Sequence, residues 1–213
     1  WSGSLPTTPG QILEFRAMGE TIAPADLVSP DPDDRRFAGA LTFGLHTHFD
    51  WNGLDTSLGA NVVITGPQTG ASDFQGNVHD LLGLNEPQVY DDQIDNAIYP
   101  TAVAEIGKRF ALPSGEARPF VEAQAGVETF VRVGADLSFG GFSRGSLMLR
   151  DGPSGQLYRA VAGSRTDGFS FVMGGDIARV FDSHYFEDGD TAQASDTRSR
   201  LRAGLHWQGE RSE

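Results

Sequence analysis

The sequence predicts an all-β fold, an antiparallel transmembrane β-barrel, and three observations lead there. Segment after segment alternates apolar and polar residues with period two, the mark of a strand with one dry and one wet face. Several of these runs approach the length of FVRVGADLSF, whereas strands of globular proteins average about 5–6 residues. The wet faces carry Arg, Glu, Asp, His and Gln beside Gly, as a polar lumen requires. A soluble β-sandwich with one solvated face satisfies the same alternation and stays open on pattern alone.

The elements follow in chain order. Ile12–Met18 is a weak strand candidate. In Leu41–Phe49, Leu41, Phe43, Leu45 and Phe49 oppose Thr42, Gly44, His46 and His48. Leu58–Thr65 continues as an apolar strand that breaks at Gly66-Pro67. Thr101–Leu112 is another weak candidate. Phe120–Val127 sets Val121, Ala123, Ala125 and Val127 against Glu122, Gln124 and Gly126. In Phe130–Phe139, Val131, Val133, Ala135, Leu137 and Phe139 face away from Arg132, Gly134, Asp136 and Ser138. Gln156–Ser164 and Gly168–Phe181 are weaker. Arg200–Trp207 sets Leu201, Ala203, Leu205 and Trp207 against Arg200, Arg202, Gly204 and His206. This amounts to about nine or ten strands. Phe49, Trp51, Phe110, Phe120, Phe139, Phe181 and Trp207 lie near strand ends, where interfacial girdles are built. The connections Ser29–Arg36, Asp151–Gly155 and Glu187–Thr197 are polar and turn-rich. No internal repeat or domain boundary is visible, so residues 1–213 read as one barrel domain.

One irregular insertion interrupts the pattern, Val62–Asn96. A short helix is expected near Ala71–Leu84, with Ser72 as N-cap, Gln75 at the capping-box position and Gly83 as the stop. Phe74, Val78, Leu81 and Leu82 form its apolar face. Gln75 and His79 are four apart and share a face. Irregular segments on a rigid scaffold are where chemistry is usually carried.

Composition narrows the classes of function. A net charge of -13 argues against a nucleic-acid partner, which needs clustered Lys and Arg. There are no cysteines, hence no disulfides and no thiolate zinc site. No apolar run reaches the roughly 20 residues of a membrane helix. The mean hydropathy of -0.29 is compatible with a barrel whose lumen and loops are polar. The opening WSGSLPTTPG has neither the basic nor the apolar region of a signal peptide.

Several motifs compete for a chemical role. Gly141-Phe142-Ser143-Arg144-Gly145 matches G-x-S-x-G, but a nucleophile elbow needs a strand, a turn and a helix, and no helix is readable after it. A Gly-rich hairpin fits better. His46 and His48 share a strand face and could chelate a metal, although no third ligand is placed by sequence; lumen-facing polar residues are the bland alternative. His184 and His206 have no recognisable company. The acidic runs Asp31–Asp34, Asp91-Asp92 and Asp188–Asp190 lack EF-hand spacing and read as solvated loops. His79 can act as a general base near neutral pH, with Gln75 orienting it, a water or a carbonyl.

A G-P turn, then Q-x-x-x-H on a helix, then P-x-x-aromatic-x-x-Q-x-x-N resembles the lipid A 3′-O-deacylase family of Gram-negative outer-membrane β-barrels. The matching residues are Gly66, Pro67, Gln75, His79, Gly83, Pro87, Tyr90, Gln93 and Asn96. A second block, Thr21–Gly39, is similar to that family's "Y-T-P-x-D … D-D-R-P-Y-A-G", through Pro24, Asp26, Asp34, Arg35, Phe37, Ala38 and Gly39. The resemblance implies a twelve-stranded monomeric barrel in the bacterial outer membrane, bathed by its lipids and acting on lipid A or lipopolysaccharide. It implies hydrolysis of the 3′-linked acyloxyacyl ester with His79 as base, Gln75 as the active-site glutamine and Ca²⁺ as cofactor. The family's N-terminal hairpin, with its Asn-Asp pair and a downstream Thr, has no counterpart here, and GERSE lacks a terminal aromatic. The family's Gly-Trp is Val89-Tyr90, and its Arg-Pro is Arg35-Arg36. The chain therefore reads as a barrel trimmed at the N-terminus and at the C-terminus. Its metal ligands are expected on strands outside this sequence, so they and the substrate-binding residues stay unknown. A catalytically inactive barrel of the same fold, structural or a pore, is the alternative.

Overall fold

Alternation becomes a meander. The structure, a computed structural model, describes residues 2–163, 167–187 and 189–209. Among them run β1 (Leu13–Ile22), β2 (Ala38–Trp51), β3 (Leu54–Thr65), α1 (Ala71–Leu82), β4 (Ala97–Gly107), β5 (Phe110–Leu112), β6 (Gly115–Ala125) and β7 (Glu128–Phe139). They are followed by β8 (Leu147–Arg150), β9 (Leu157–Val161), β10 (Gly168–Ser183) and β11 (Thr197–Gln208). Nine strands make one antiparallel sheet in the order β1-β2-β3-β4-β6-β7-β10-β11, with β5 on β6; β8 and β9 pair separately as a hairpin. Each main strand pairs with its sequence neighbour, and only the β8–β9 excursion separates β7 from β10.

The two faces differ as the alternation requires. Outward lie Phe15, Phe43, Leu45, Leu58, Val62, Ile98, Val121, Val133, Ile177, Leu201 and Leu205, all exposed. Inward lie Thr42, His46, His48, Glu105, Arg132, Asp136, Ser170 and Asp176, all buried. A soluble protein hides its apolar face, whereas a wall surrounded by lipid inverts the rule. Among the described residues no helix is long and apolar enough to cross a membrane, so any crossing falls to the strands.

Buried charges on the concave face are paired. Arg132 donates to Glu122 at 2.6 Å and forms an ion pair with Asp176 at 3.1 Å. Asp176, its side chain fully inaccessible, also receives Arg200 and Arg202. Glu105 takes Arg118 at 2.7 Å. Isolated charges at such sites would be costly, and mutual pairing offsets the desolvation.

Several expectations are corrected. The strand begun at Leu58 starts at Leu54, because Asn52 and Gly53 both have positive φ and form the two-residue turn that twists like its flanking strands. Gln156–Ser164 contracts to Leu157–Val161, and Ser164 lies outside the described residues. Phe120 points into the lumen, 4 % exposed, with the Arg150 guanidinium 3.7 Å from its ring centre. Phe49 is buried too, which leaves Trp51, Phe110, Phe139, Phe181 and Trp207 as the exposed aromatics of that set. Val127 is buried with Ala40 and Val63 against Tyr99 and Tyr185, because the turn at Gly126 swings it inward.

Candidate active site

The two sequence blocks that lie far apart in the chain meet at one end of the barrel. Phe37 bridges Gln93 in parallel fashion. Its amide donates to the Asp92 carbonyl at 3.3 Å, and the Ile94 amide donates to the Phe37 carbonyl at 3.0 Å. The Gln88 amide reaches the Leu27 carbonyl at 2.7 Å. Phe37 and Ile94 are sealed from solvent, and Tyr90 packs edge-on against Phe37 at 5.2 Å. This small core seats the loop that follows α1 on the segment that leads into β2.

The glycines and amides of the motif fix where α1 starts. Gly66 has φ 83, and a Cβ there would stand 2.6 Å from the Asp95 carbonyl oxygen, so only glycine fits. Pro67 opens a 3-10 turn, Pro67–Thr69. Asn96 accepts from the Gln68 amide at 2.8 Å, and the Gln68 side chain donates to the Thr65 and Ala97 carbonyls. Thr69 then accepts from the Ala71 amide at 3.3 Å. The helix is thus capped from outside itself. Gly70, left-handed at φ 68, is its N-cap residue, Ser72 is buried in the first turn, and the Ser72–Gln75 capping box does not form. Gly83 ends the helix as expected, left-handed at φ 65.

Within α1, His79 Nδ1 lies 3.0 Å from the Asn85 carbonyl oxygen. A carbonyl only accepts, so Nδ1 carries the hydrogen and Nε2 holds the lone pair of the neutral ring. A base whose tautomer is fixed by a second group follows the logic of hydrolytic triads. Gln75, one turn earlier, has its Oε1 buried without a hydrogen-bond partner among the described residues. So do Tyr90 Oη and Gln93 Oε1. Tyr90 packs on α1 at Gly76, 3.6 Å from where a Cβ there would be, and its carbonyl accepts from the Gln93 amide nitrogen at 2.7 Å. Burial pushes the Tyr90 phenol up, favouring its protonated form. Phe74, Leu81, Leu82 and Leu84 turn away from the protein and stay exposed, while Val78 is half-buried.

Other charged groups brace this end. Arg36 pairs with Glu187 at 2.7 Å, Asp190 at 3.1 Å and Asp92 at 3.4 Å. Glu187 also accepts from the Asp95 amide at 2.6 Å. Glu187 carries no local signal in a chain with 29 acidic residues; only the fold brings it to Arg36. Asp34 accepts from the Ala25 and Arg35 amides, and Asp26 from Val28 and Ser29. These backbone donors hold both carboxyls below their ordinary range.

The remaining candidates resolve into structure. His46 Nε2 sits 2.7 Å from Asn61 Oδ1, and His48 Nε2 sits 2.9 Å from Glu14. Both face the lumen. Among the described residues no three His, Cys, Asp or Glu converge as a metal site. Gly141–Gly145 is a turn with no helix behind it, and the Ser143 hydroxyl donates to Ser138 Oγ at 3.1 Å. His184 stacks on Tyr99, and His206 packs at a tilt against Phe142. Asp31 and Asp33 stay exposed, and Asp188 lies outside the described residues.

Residues 10–211 match the family model described as outer membrane protein LpxR. The chain belongs to the LpxR family. Among solved structures, LpxR from Salmonella typhimurium superposes with a TM-score of 0.75 at 20% identity, covering 91% of this chain and 71% of that one. No curated protein sequence matches the chain. LpxR membership makes this an outer-membrane protein, and the structural likeness makes its curled sheet a barrel wall. The exposed exterior of the nine-stranded sheet is then the lipid-facing surface.

Proposed function

We propose that the chain is a lipid A deacylase, a carboxylic ester hydrolase that removes the 3′-linked acyloxyacyl group, with His79 as general base. The observation that carries this reading is the bond from His79 Nδ1 to the Asn85 carbonyl. It leaves Nε2 as the proton acceptor, on a helix that also exposes the apolar Phe74, Leu81 and Leu82. In the step proposed, Nε2 takes a proton from water as the water oxygen attacks the ester carbonyl carbon. The proton then passes to the departing alkoxide oxygen. Gln75 orients the water or the carbonyl, and the Phe37–Tyr90 contact holds α1 in place.

Calcium is part of the proposal. Buried neutral oxygens without partners, Gln75 Oε1 and Gln93 Oε1, are the hard donors Ca²⁺ prefers, and they would supply two of its ligands. The ion takes 6–8 oxygens, carboxylates among them, so the described residues fit it in kind and fall short in number. When bound, calcium polarises the ester carbonyl and stabilises the oxyanion.

Mass spectrometry of lipid A from cells expressing the gene tests the reading. Loss of the 3′ acyl groups with calcium present is expected. His79→Ala should abolish it, a drop of roughly 10²–10⁴-fold, while the heat-modifiable mobility of a folded barrel persists. Deacylation by the variant would remove His79 from the role. A barrel without catalysis is the second reading, favoured by the missing cluster of acidic or histidine ligands among the described residues; intact lipid A with the native sequence would establish it.

A further inference from the structure

We propose that the β8–β9 hairpin is a plug that enters the barrel from the end opposite α1 and closes the lumen to solutes. β7 ends at Phe139 and its sheet neighbour β10 begins at Gly168, both at the far end from α1. Adjacent antiparallel strands need only a short turn, yet here the chain spends a hairpin between them. It does not lie outside the barrel.

Its contacts come from strands spread around the wall. Arg150 bonds Glu105 of β4 and, at 2.8 Å, Asp136 of β7. Its guanidinium lies on the Phe120 ring of β6. Arg200 of β11 donates to the Gly152 and Pro153 carbonyls at 2.9 and 3.0 Å. A Cβ on Gly152 would stand 3.8 Å from Met18 of β1. Arg159 of β9 donates to Gln208 of β11 at 3.2 Å. Strands β1, β4, β6, β7 and β11 can all touch one hairpin only if it sits on the axis they enclose.

The depth follows from the register. Arg200 stands three residues from the α1-side end of β11 (Thr197–Gln208), so the hairpin tip passes more than half the height of that strand. Above the tip is a chamber of about 840 Å³, floored by Gly152 and Pro153. Beside the hairpin's body the cavities shrink to about 60 and 20 Å³, room for a few waters at most. Leu147 and Leu149 are buried against the rim of the first of these, with His46 and His48. The hairpin thus fills the part of the curled sheet away from α1, and the large chamber lies between its tip and the α1 end.

The test is conductance of the purified protein in planar bilayers. The native chain should show no steady open channel. Arg150→Ala removes the charge-assisted bonds to Glu105 and Asp136, and should raise channel opening roughly 10²-fold. A native protein that conducts steadily, or a folded Arg150→Ala barrel that stays shut, overturns the proposal. Should that variant not fold, Met18→Cys with Gly152→Cys in the otherwise cysteine-free chain decides. A short bifunctional thiol reagent should join the two; folded protein that does not cross-link also overturns it.

Discussion

Gly39 offers a sharp test of how the barrel holds α1, the helix that carries His79. The residue lies at the start of β2, where its carbonyl accepts from the Gly66 amide at 3.1 Å. A Cβ added there would meet Thr69 and would stand 2.6 Å from the Ala71 Cβ. Ordinary contact begins at 3.4 Å, so the first turn of α1 must retreat by about 0.8 Å, from 2.6 to 3.4 Å. Gly39 does not have the positive φ that strains other residues, so the effect of Gly39→Ala is steric and local. A misplacement near 1 Å can cost a positioned reaction about 10²-fold; we expect deacylation to fall roughly 10–100-fold. The assay compares rates of 3′-acyl release in detergent micelles, with folded fraction read from heat-modifiable mobility. Gly152→Ala, where the nearest atom is 3.8 Å away, is the matched control and should leave the rate unchanged. Folded Gly39→Ala protein with near-native activity would refute the claim that this contact sets the position of His79.

Two further outcomes follow from the charges. Asp176→Ala removes the shared partner of Arg132, Arg200 and Arg202 and should destabilise the folded barrel by about 3–5 kcal/mol, read from urea unfolding in detergent; a change under about 1 kcal/mol would mean that solvent or the remaining carboxylates already satisfy those arginines. Asp26 and Asp34 have carboxyl pKa values lowered in the fold by backbone donors, so their contribution to ordering residues 23–36 is fully present above the ordinary carboxylate range. It is lost as pH falls through the lowered values. Amide exchange at Ala25, Val28, Ser29 and Arg35, corrected for intrinsic rates, should therefore lose protection in acid; constant protection through the carboxylate range would contradict this.

Period-two alternation determined most of the wall by itself. Val131 to Phe139 and Leu201 to Trp207 read as outward stripes, and they are, because a strand places alternate side chains on opposite faces whatever surrounds it. The positions of Gln75 and His79 on one helix, and the stop at Gly83, were equally local. What the sequence could not say was which face of an aromatic-rich strand meets lipid at its ends. Phe120 faces Arg150, a partner that is 30 residues away in the chain and is brought near only by the plug. Nor could it say what caps α1. Ser72 had the right identity, but Gly39 of β2 and Asn96, just before β4, fix the entry from elsewhere in the chain, and Thr69 reaches the first amide. Tertiary structure alone joined Phe37 to Gln93, Arg36 to Glu187 and Arg150 to Glu105 and Asp136. Periodicity is written in neighbours along the chain; pairing across the lumen is decided by which strands the curled sheet brings face to face.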